Sequence, residues 1–302
     1  GVGVAFSYQA FIQAIGFFFG SGSGNYISRA LGARNTGGAD RMAATGFFTS
    51  FLVGIVLMVL GTLFMTPLSR MLGATPDVVP YSNDYLRWLL IATPFFISQI
   101  TLNNQLRLQG NAMMAMIGIT TGALLNIFFD WLLIRHFDMG VSGASLATLI
   151  SQFISWLLLL WATSLDGNVH IRFRNFVPSV ERFREIAAGG LPSLMRQSLS
   201  SLSAIFMNWA AASYALQGQE ASTIAAFTIV ARVMQCAMAV ILGVGQGFQP
   251  VCGFNWGAKL YGRVRRSYLF TITVCVIILL FTSAAGWIFA PEIISFFRDA
   301  DP

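Results

Sequence analysis

The stretch Leu125-Asn126-Ile127-Phe128-Phe129-Asp130 places an amide and a carboxylate inside a long apolar run. Among the twelve acidic residues of the chain, Asp130 is the one that falls in the interior of a hydrophobic span. Asn126 precedes it by four residues, so a helix presents both side chains on one face. A carboxylate inside a membrane costs about 2.5–3.5 kcal/mol on insertion scales. The pattern therefore predicts that Asp130 has a function that compensates for this cost.

The next apolar run carries a third oxygen-bearing side chain, that of Thr148. At helical rise, Asp130 lies about 7.5 Å before the loop 135–140 and Thr148 about 12 Å after it. Two antiparallel helices would therefore hold Asn126, Asp130 and Thr148 at similar depth. We predict that these three residues form a cation or proton site, with Na⁺ at Asp130 as the one metal ion that the sequence suggests. The alternative interpretation is a polar packing cluster.

Composition indicates a membrane protein. The 302 residues are 56% hydrophobic and 10% charged, whereas soluble domains carry about 25% charge. Apolar runs of this length suit helices that cross a hydrocarbon core of about 30 Å, because a helix satisfies its own backbone hydrogen bonds. We predict an all-α polytopic membrane protein with eight transmembrane helices. The expected spans are 2–28, 43–65, 84–106, 112–134, 141–163, 188–214, 222–249 and 267–290.

Lys and Arg are distributed unevenly between the two sides that this topology defines. Twelve of the eighteen follow the first, third, fifth and seventh spans, and four lie on the other side, one of them (Arg87) at the outer end of the third span. The remaining two fall deeper within spans. Cytoplasmic loops are enriched in Lys and Arg. The polar linker 166–185 is therefore expected to be cytoplasmic and the loop 66–83 external. Pro178, Ser179 and Glu181 in the linker predict the start of a short helix.

An internal repeat with an offset of 225 residues indicates two bundles. Gly20-Ser21-Gly22 corresponds to Gly245-Gln246-Gly247, and Leu31-Gly32-Ala33-Arg34 corresponds to Trp256-Gly257-Ala258-Lys259. Both copies have the same predicted orientation, so we expect two helical lobes related by a pseudo-two-fold axis along the membrane normal. The expected domains are an N-terminal lobe at 1–165, a linker at 166–186 and a partial C-terminal lobe at 187–302.

Three amides fall near the inner end of the third span, namely Gln99, Asn103 and Asn104. An amide inside a membrane costs free energy unless it has a partner. Interhelical hydrogen bonding and the lining of a substrate cavity both fit these residues, and the sequence leaves the choice open.

Several function classes lack the residues that they need. The three cysteines and two histidines have no metal-ligand spacing, and no carboxylate pair or Ser/Lys dyad falls within a span. The glycines at 20–24 are not followed by the Gly-Lys-Ser/Thr of a phosphate loop. We therefore expect no enzyme activity, no cofactor and no nucleic-acid partner.

The sequence resembles the multidrug and toxic-compound extrusion (MATE) transporters, and in particular their DinF-like branch. The motifs that carry the resemblance are spread over nearly the whole chain. They are Ile27-Ser28-Arg29-Ala30-Leu31-Gly32-Ala33, Arg107-Leu108-Gln109-Gly110-Asn111, Leu125-Asn126 with Asp130, Gly140-Val141-Ser142-Gly143-Ala144 with Ala147-Thr148, and Gln246-Gly247-Phe248-Gln249-Pro250 with Asn255-Trp256-Gly257-Ala258.

The resemblance implies that this chain covers helices two to nine of a twelve-helix transporter. It implies alternating access, with export of amphipathic organic cations or drugs driven by inward Na⁺ or H⁺ across a bacterial-type plasma (inner) membrane, by a monomer. Asn126, Asp130 and Thr148 match the cation site of the DinF-like branch, and Asn103 resembles an Asn that lines the substrate cavity there. Another branch has a Glu on helix seven, whereas the span 188–214 contains no acid.

Two alternative functions remain. A flippase for lipid-linked saccharides, from the same superfamily, is expected to line its cavity with several cations. The spans here offer only Arg232 and Arg196, which argues against it. An ion channel fits the composition, but a two-lobe repeat is more typical of transporters.

Overall fold

The computed structural model describes residues 2–72, 77, 79–165, 167–213 and 220–289. It describes the backbone but not the side chains at 2–6, 81, 200–202, 204–205, 207–213 and 220–233. These residues form nine α-helices and no strand. The helices are α1 (Val2–Gly32), α2 (Thr36–Leu63), α3 (Met65–Met71), α4 (Val79–Leu108), α5 (Ala112–Asp130), α6 (Gly140–Ala162), α7 (Val180–Ser213), α8 (Glu220–Gly257) and α9 (Tyr261–Ile288).

A helix lies at each of the eight predicted spans, which confirms the all-α polytopic membrane fold. Within the described residues, α2, α5, α6 and α9 and most of α4 and α8 are long and apolar enough to cross a membrane. The short helix α3 was not predicted, and it occupies the start of the expected external loop. The loop expected at 135–140 begins later, because a π-helical turn continues α5 from Trp131 to His136.

By their internal contacts, the residues divide into two compact units, Gly1–Met195 and Arg196–Pro302. In the first unit, α4 is the central helix and packs against α1, α2, α5 and α6. Its buried apolar side chains include Leu86, Leu90 and Leu102, all with no exposed surface. The division into two lobes about a membrane-normal axis stays a prediction.

Glycines bring the start of α7 into backbone contact with α1 within the first unit. A Cβ on Gly22 would lie 2.2 Å from the carbonyl oxygen of Ile186, and one on Gly190 would lie 2.2 Å from that of Phe18.

The helix that was expected to start near Ser179 begins at Val180, as predicted. The expectation that this helix is short is wrong, because α7 continues to Ser213. Its residues continue without a break into the span predicted at 188–214.

The linker before α7 is held by side chains of α2 and of the end of α4. The carboxylate of Asp40 accepts a hydrogen bond from the backbone N–H of His170 (3.0 Å). Gln109 accepts from the N–H of Val169 (2.7 Å) and donates to Asn168 (3.2 Å). These contacts satisfy backbone groups in a segment that contains only a short 3₁₀ turn, Phe173–Asn175.

The sequence repeat recurs in the backbone of the two helix pairs. Helices α2 and α9 have 28 residues each, and both the starts and the ends of the two helices are 225 residues apart. Arg34 and Lys259 both adopt left-handed backbone, with φ of 60° and 59°. The hydrogen bond from Asn35 N to Ala30 O and that from Leu260 N to Asn255 O are both 2.8 Å long. The α1–α2 turn and the α8–α9 turn therefore have the same structure.

Each helix pair also has an apolar cavity at the corresponding place. The first, of about 550 Å³, is lined by residues that include Phe11, Leu57 and Gly61. The second, of about 740 Å³, is lined by Cys236, Thr282 and Gly286, each 225 positions later, and by further residues. The repeat therefore extends from the turn to the far ends of both pairs.

Candidate functional site

Small residues bring α5 and α6 together and fix their register. A Cβ on Gly118 would lie 2.3 Å from Leu159, and a Cβ on Gly122 would lie 3.0 Å from that of Ser155. The two helices are antiparallel, so Asn126 follows Gly122 by one turn and lies level with the turn of α6 that precedes Ser155. Asp130 lies one further turn along, level with Ala147 and Thr148. The predicted similar depth of Asn126, Asp130 and Thr148 therefore agrees with this register.

Two polar atoms of the predicted site are buried without a partner. Neither Oδ1 of Asp130 nor Nδ2 of Asn126 has a hydrogen-bond partner among the described residues. The polar-packing interpretation predicts that such atoms bond to neighbouring helices, because an unsatisfied buried polar group typically costs about 1–3 kcal/mol. An acceptor left open beside the α5–α6 interface fits a site for a cation or a proton.

The Thr148 hydroxyl is hydrogen-bonded within its own helix. It donates to the carbonyl of Ala144 (3.0 Å), which leaves the oxygen lone pairs to accept. The side chain of Tyr85, on α4, lies close to that of Thr148, and Tyr85 also lies within electrostatic range of Asp130. Three helices therefore contribute to the polar cluster around Asp130.

Sequence reasoning missed Tyr85. It lies near the start of a predicted span, where a tyrosine is ordinarily interpreted as an interfacial anchor. It is only 7% exposed, however, so its hydroxyl faces the helix bundle. The long-range pairing with α6 could not be read from the spacing of residues within α4.

The π-helical turn begins immediately after Asp130, at Trp131. Its residues contact α6 closely, since a Cβ on Gly143 would lie 3.2 Å from the carbonyl oxygen of Leu133. Single π-helical turns inside helices are frequent at functional sites. The irregular backbone sits at the end of the helix that carries Asp130, where a change in helix winding would move its carboxylate.

The three predicted cavity amides are buried and hydrogen-bonded. Gln99 donates to the hydroxyl of Ser155 (2.7 Å), and Asn103 donates to the carbonyl of Ala115 (2.7 Å). Asn104 donates within its own helix to Ile100 (2.8 Å). In this conformation Gln99 and Asn103 link α4 to α6 and α5, which is the interhelical role that the sequence left open. Their role in a substrate cavity stays a prediction, and the side chain of Arg232 lies outside the described residues.

The fold and this site define the class of the protein: a polytopic helical membrane protein with a carboxylate site inside its first helical unit. The MatE family model matches residues 1–132 and 192–302. The chain therefore belongs to the MatE family, that of the MATE transporters.

Curated relatives are multidrug exporters of staphylococci. The multidrug export protein MepA of Staphylococcus haemolyticus is 28% identical over 248 residues, which are 82% of this chain and 54% of that protein. MepA of Staphylococcus aureus strain NCTC 8325 is 28% identical over 257 residues, or 85% of this chain and 56% of that protein. This chain thus spans little more than half the length of these relatives.

Solved MATE structures superpose on nearly the whole chain. A MATE transporter in complex with MaD3S gives a TM-score of 0.91 at 29% identity, with 98% of this chain and 66% of that chain covered. A multidrug resistance MATE transporter in an outward-facing conformation gives 0.90 at 29% identity, with 98% and 65% covered. A transporter of the same superfamily from Pyrococcus furiosus gives 0.88 at 29% identity, with 99% and 66% covered.

Proposed function

We propose that this chain belongs to a secondary active multidrug exporter, which couples the exit of amphipathic organic cations to the entry of Na⁺ or H⁺ by alternating access. The family membership and the multidrug exporters among its relatives support the exporter. The observation that carries the coupling mechanism is the partnerless carboxylate oxygen of Asp130 inside a membrane helix.

In this mechanism, Asp130 holds the coupling cation or proton, and Asn126 and Thr148 supply further polar groups. Tyr85, whose side chain lies close to that of Thr148, would help to orient the Thr148 hydroxyl. Coupling requires that the site bind its ion with different affinity in the two conformations. A ligand with equal affinity for both does not shift the equilibrium between them. The π-helical turn after Asp130 is the element that would change between them. Gln99, Asn103 and Asn104 would face the organic substrate in one of these states.

The first test is Asp130→Asn in the full-length protein, reconstituted into vesicles. The change keeps the size of the side chain but removes its charge, so drug export driven by an imposed gradient should be abolished while the amount of folded protein stays similar. Asp138→Asn is the matched control, because Asp138 lies in the exposed loop after the π-helical turn and should tolerate the change.

Export is measured per folded molecule, under a Na⁺ gradient and a pH gradient imposed separately. The packing interpretation predicts the opposite result, with a less stable Asp130→Asn protein and normal export per folded molecule. Export by the Asp130→Asn variant at the wild-type rate under the same gradient would remove Asp130 from the mechanism.

The sidedness of the loops belongs to the same proposal. Single cysteines at Asn175 and at Asp77, in a full-length protein whose natural cysteines have been replaced, should react with an impermeant reagent from opposite sides of the membrane. Asn175 should be reached only from the cytoplasm. Labelling of both positions from outside would contradict the proposed topology.

A further inference from the structure

One glutamine beside the proposed cation site has an acceptor that nothing in the described part of the chain satisfies. Oε1 of Gln152, on α6, is fully buried and has no hydrogen-bond partner among the described residues. The neighbouring α4 glutamine Gln99 shows the usual arrangement, with its amide bonded to Ser155 across the helix interface (2.7 Å). An amide carbonyl left open inside a membrane protein costs free energy unless a ligand uses it.

Gln152 lies on the face of α6 that builds the site. It follows Thr148 by four residues, so both side chains project from one face, about 6 Å apart along the helix axis. Ser155 and Leu159 lie on the same face, and both are completely buried against α5. Gln152 therefore lies between the Asp130 level and the Ser155 contact.

The register of α5 and α6 places Gln152 level with Asn126. Gly122 packs against Ser155, and one turn further along α5, Asn126 is level with the turn of α6 that holds Gln152. Each of these two residues has an open polar atom, Nδ2 on Asn126 and Oε1 on Gln152. A donor and an acceptor at the same level, on adjacent helices, could satisfy each other. Here they do not bond to each other, so the site contains an open hydrogen-bonding atom on a residue that the sequence pattern did not identify, Gln152.

We infer that Gln152 supplies a carbonyl oxygen to the cation that Asp130 holds. This inference rests on the proposed function. Hard monovalent and divalent cations take carboxylate, hydroxyl and amide carbonyl oxygens in place of water. Asp130, Thr148 and Gln152 offer one of each, and Asn126 has its own carbonyl oxygen. A proton on Asp130 needs a single acceptor, whereas a dehydrated Na⁺ needs several oxygens, so the arrangement favours Na⁺ as the ligand.

The test is Na⁺ binding to the purified full-length protein in detergent, followed by the rise in melting temperature as choline chloride is replaced by sodium chloride. A ligand that binds only the folded state raises the free energy of unfolding by RT ln(1 + [L]/Kd), so the rise in melting temperature with Na⁺ concentration gives the Kd. Gln152→Leu should raise this Kd for Na⁺ about tenfold, the effect expected for one lost polar contact. Gln152→Glu keeps an oxygen and should restore binding.

Gln105→Leu is the matched control, since Gln105 on α4 is a buried glutamine whose Oε1 also has no partner among the described residues, while its amide nitrogen bonds to Ser23 (2.9 Å), away from the site. It should lower the melting temperature equally with and without Na⁺. If Gln152→Leu does not fold, Gln152→Met takes its place, because methionine has similar length and lacks the oxygen.

The outcomes separate this inference from the function on which it rests. An unchanged Kd for Na⁺ in Gln152→Leu or Gln152→Met, together with loss of the response in Asp130→Asn, would overturn the role of Gln152 alone. An Asp130→Asn protein that still responds to Na⁺ would overturn the proposed coupling site itself. Stabilisation by protons with no response to Na⁺ in the wild-type protein would also overturn the Gln152 assignment.

Discussion

The α1–α2 and α8–α9 helix pairs turn in the same way but are packed differently. Their turns share left-handed residues, hydrogen bonds and helix lengths. In the first pair, the glycines of α1 touch α4 and α7. For the corresponding glycines of α8, no atom of another element in the described part of the chain lies within 4 Å of an added Cβ. The turn thus follows from local sequence, and the same glycines acquire a packing role only where another helix approaches.

The sharpest test of this difference compares Gly22 with its counterpart Gly247. Gly22→Ala should destabilise the chain by about 3 kcal/mol, because the new Cβ would force the α1 and α7 backbones apart. Gly247→Ala should be neutral or stabilise by up to about 1 kcal/mol, because alanine favours the helix and meets no neighbour among the described residues. Denaturant unfolding in detergent compares the two variants. Equal changes in the free energy of unfolding of both variants would show that the close contact between Gly22 and Ile186 does not determine the effect.

A smaller difference is expected between Gly61 and Gly286. A Cβ on Gly61 would lie 2.2 Å from Cδ2 of Leu90, the far end of a flexible side chain. A Cβ on Gly286 would have no atom of the described residues within 4 Å. Gly61→Ala should therefore cost about 1–2 kcal/mol, and Gly286→Ala should cost nothing. The double variant Gly61→Ala with Leu90→Ala should lose less stability than the sum of the losses in the two single variants. Full additivity in unfolding experiments would argue against the contact.

The helix caps differ in one residue and provide a third test. The side chain of Asn35 accepts a hydrogen bond from the N–H of Gly38 (2.9 Å), whereas Leu260, at the same place before α9, makes no such bond. Asn35→Ala should lower the free energy of unfolding by about 1 kcal/mol, and Leu260→Asn should raise it by a similar amount. Both values come from thermal unfolding of the single variants. A loss in Leu260→Asn would mean that its half-exposed side chain has a packing role that outweighs the cap.

The smallest effect should be the same in both pairs. A left-handed backbone costs a residue with a side chain about 1–2 kcal/mol, and Arg34→Gly and Lys259→Gly each remove this cost. Part of the gain in stability is lost again, because glycine loses more conformational entropy on folding. Each variant should therefore gain about 0.5 kcal/mol. Gains that differ between the two would show that the turns are not energetically equivalent, although their geometry is.

The candidate site was predictable only where its residues lie close together in sequence. Asn126 and Asp130 are one turn apart in an apolar run, so their shared face follows from helical geometry. Thr148 could be added because a short loop joins two antiparallel helices. Tyr85 and Gln152 could not, because their relevance depends on which face α4 and α6 present to α5. The same limit applies to Gln99 and Asn103, whose hydrogen bonds required the helix pairing.

The sequence by itself determined the elements of this protein: the all-α membrane fold, the eight helical spans and the repeated turn. These depend on hydrophobic length, on self-satisfied backbone hydrogen bonds and on local conformational preferences, which act between residues near one another in the chain. Only the tertiary structure decided which glycines lie in close contact with another helix, which amides are hydrogen-bonded and which buried polar atoms have no hydrogen-bond partner among the described residues. Burial and hydrogen bonding across helices depend on register and crossing, which a pattern along one helix does not contain.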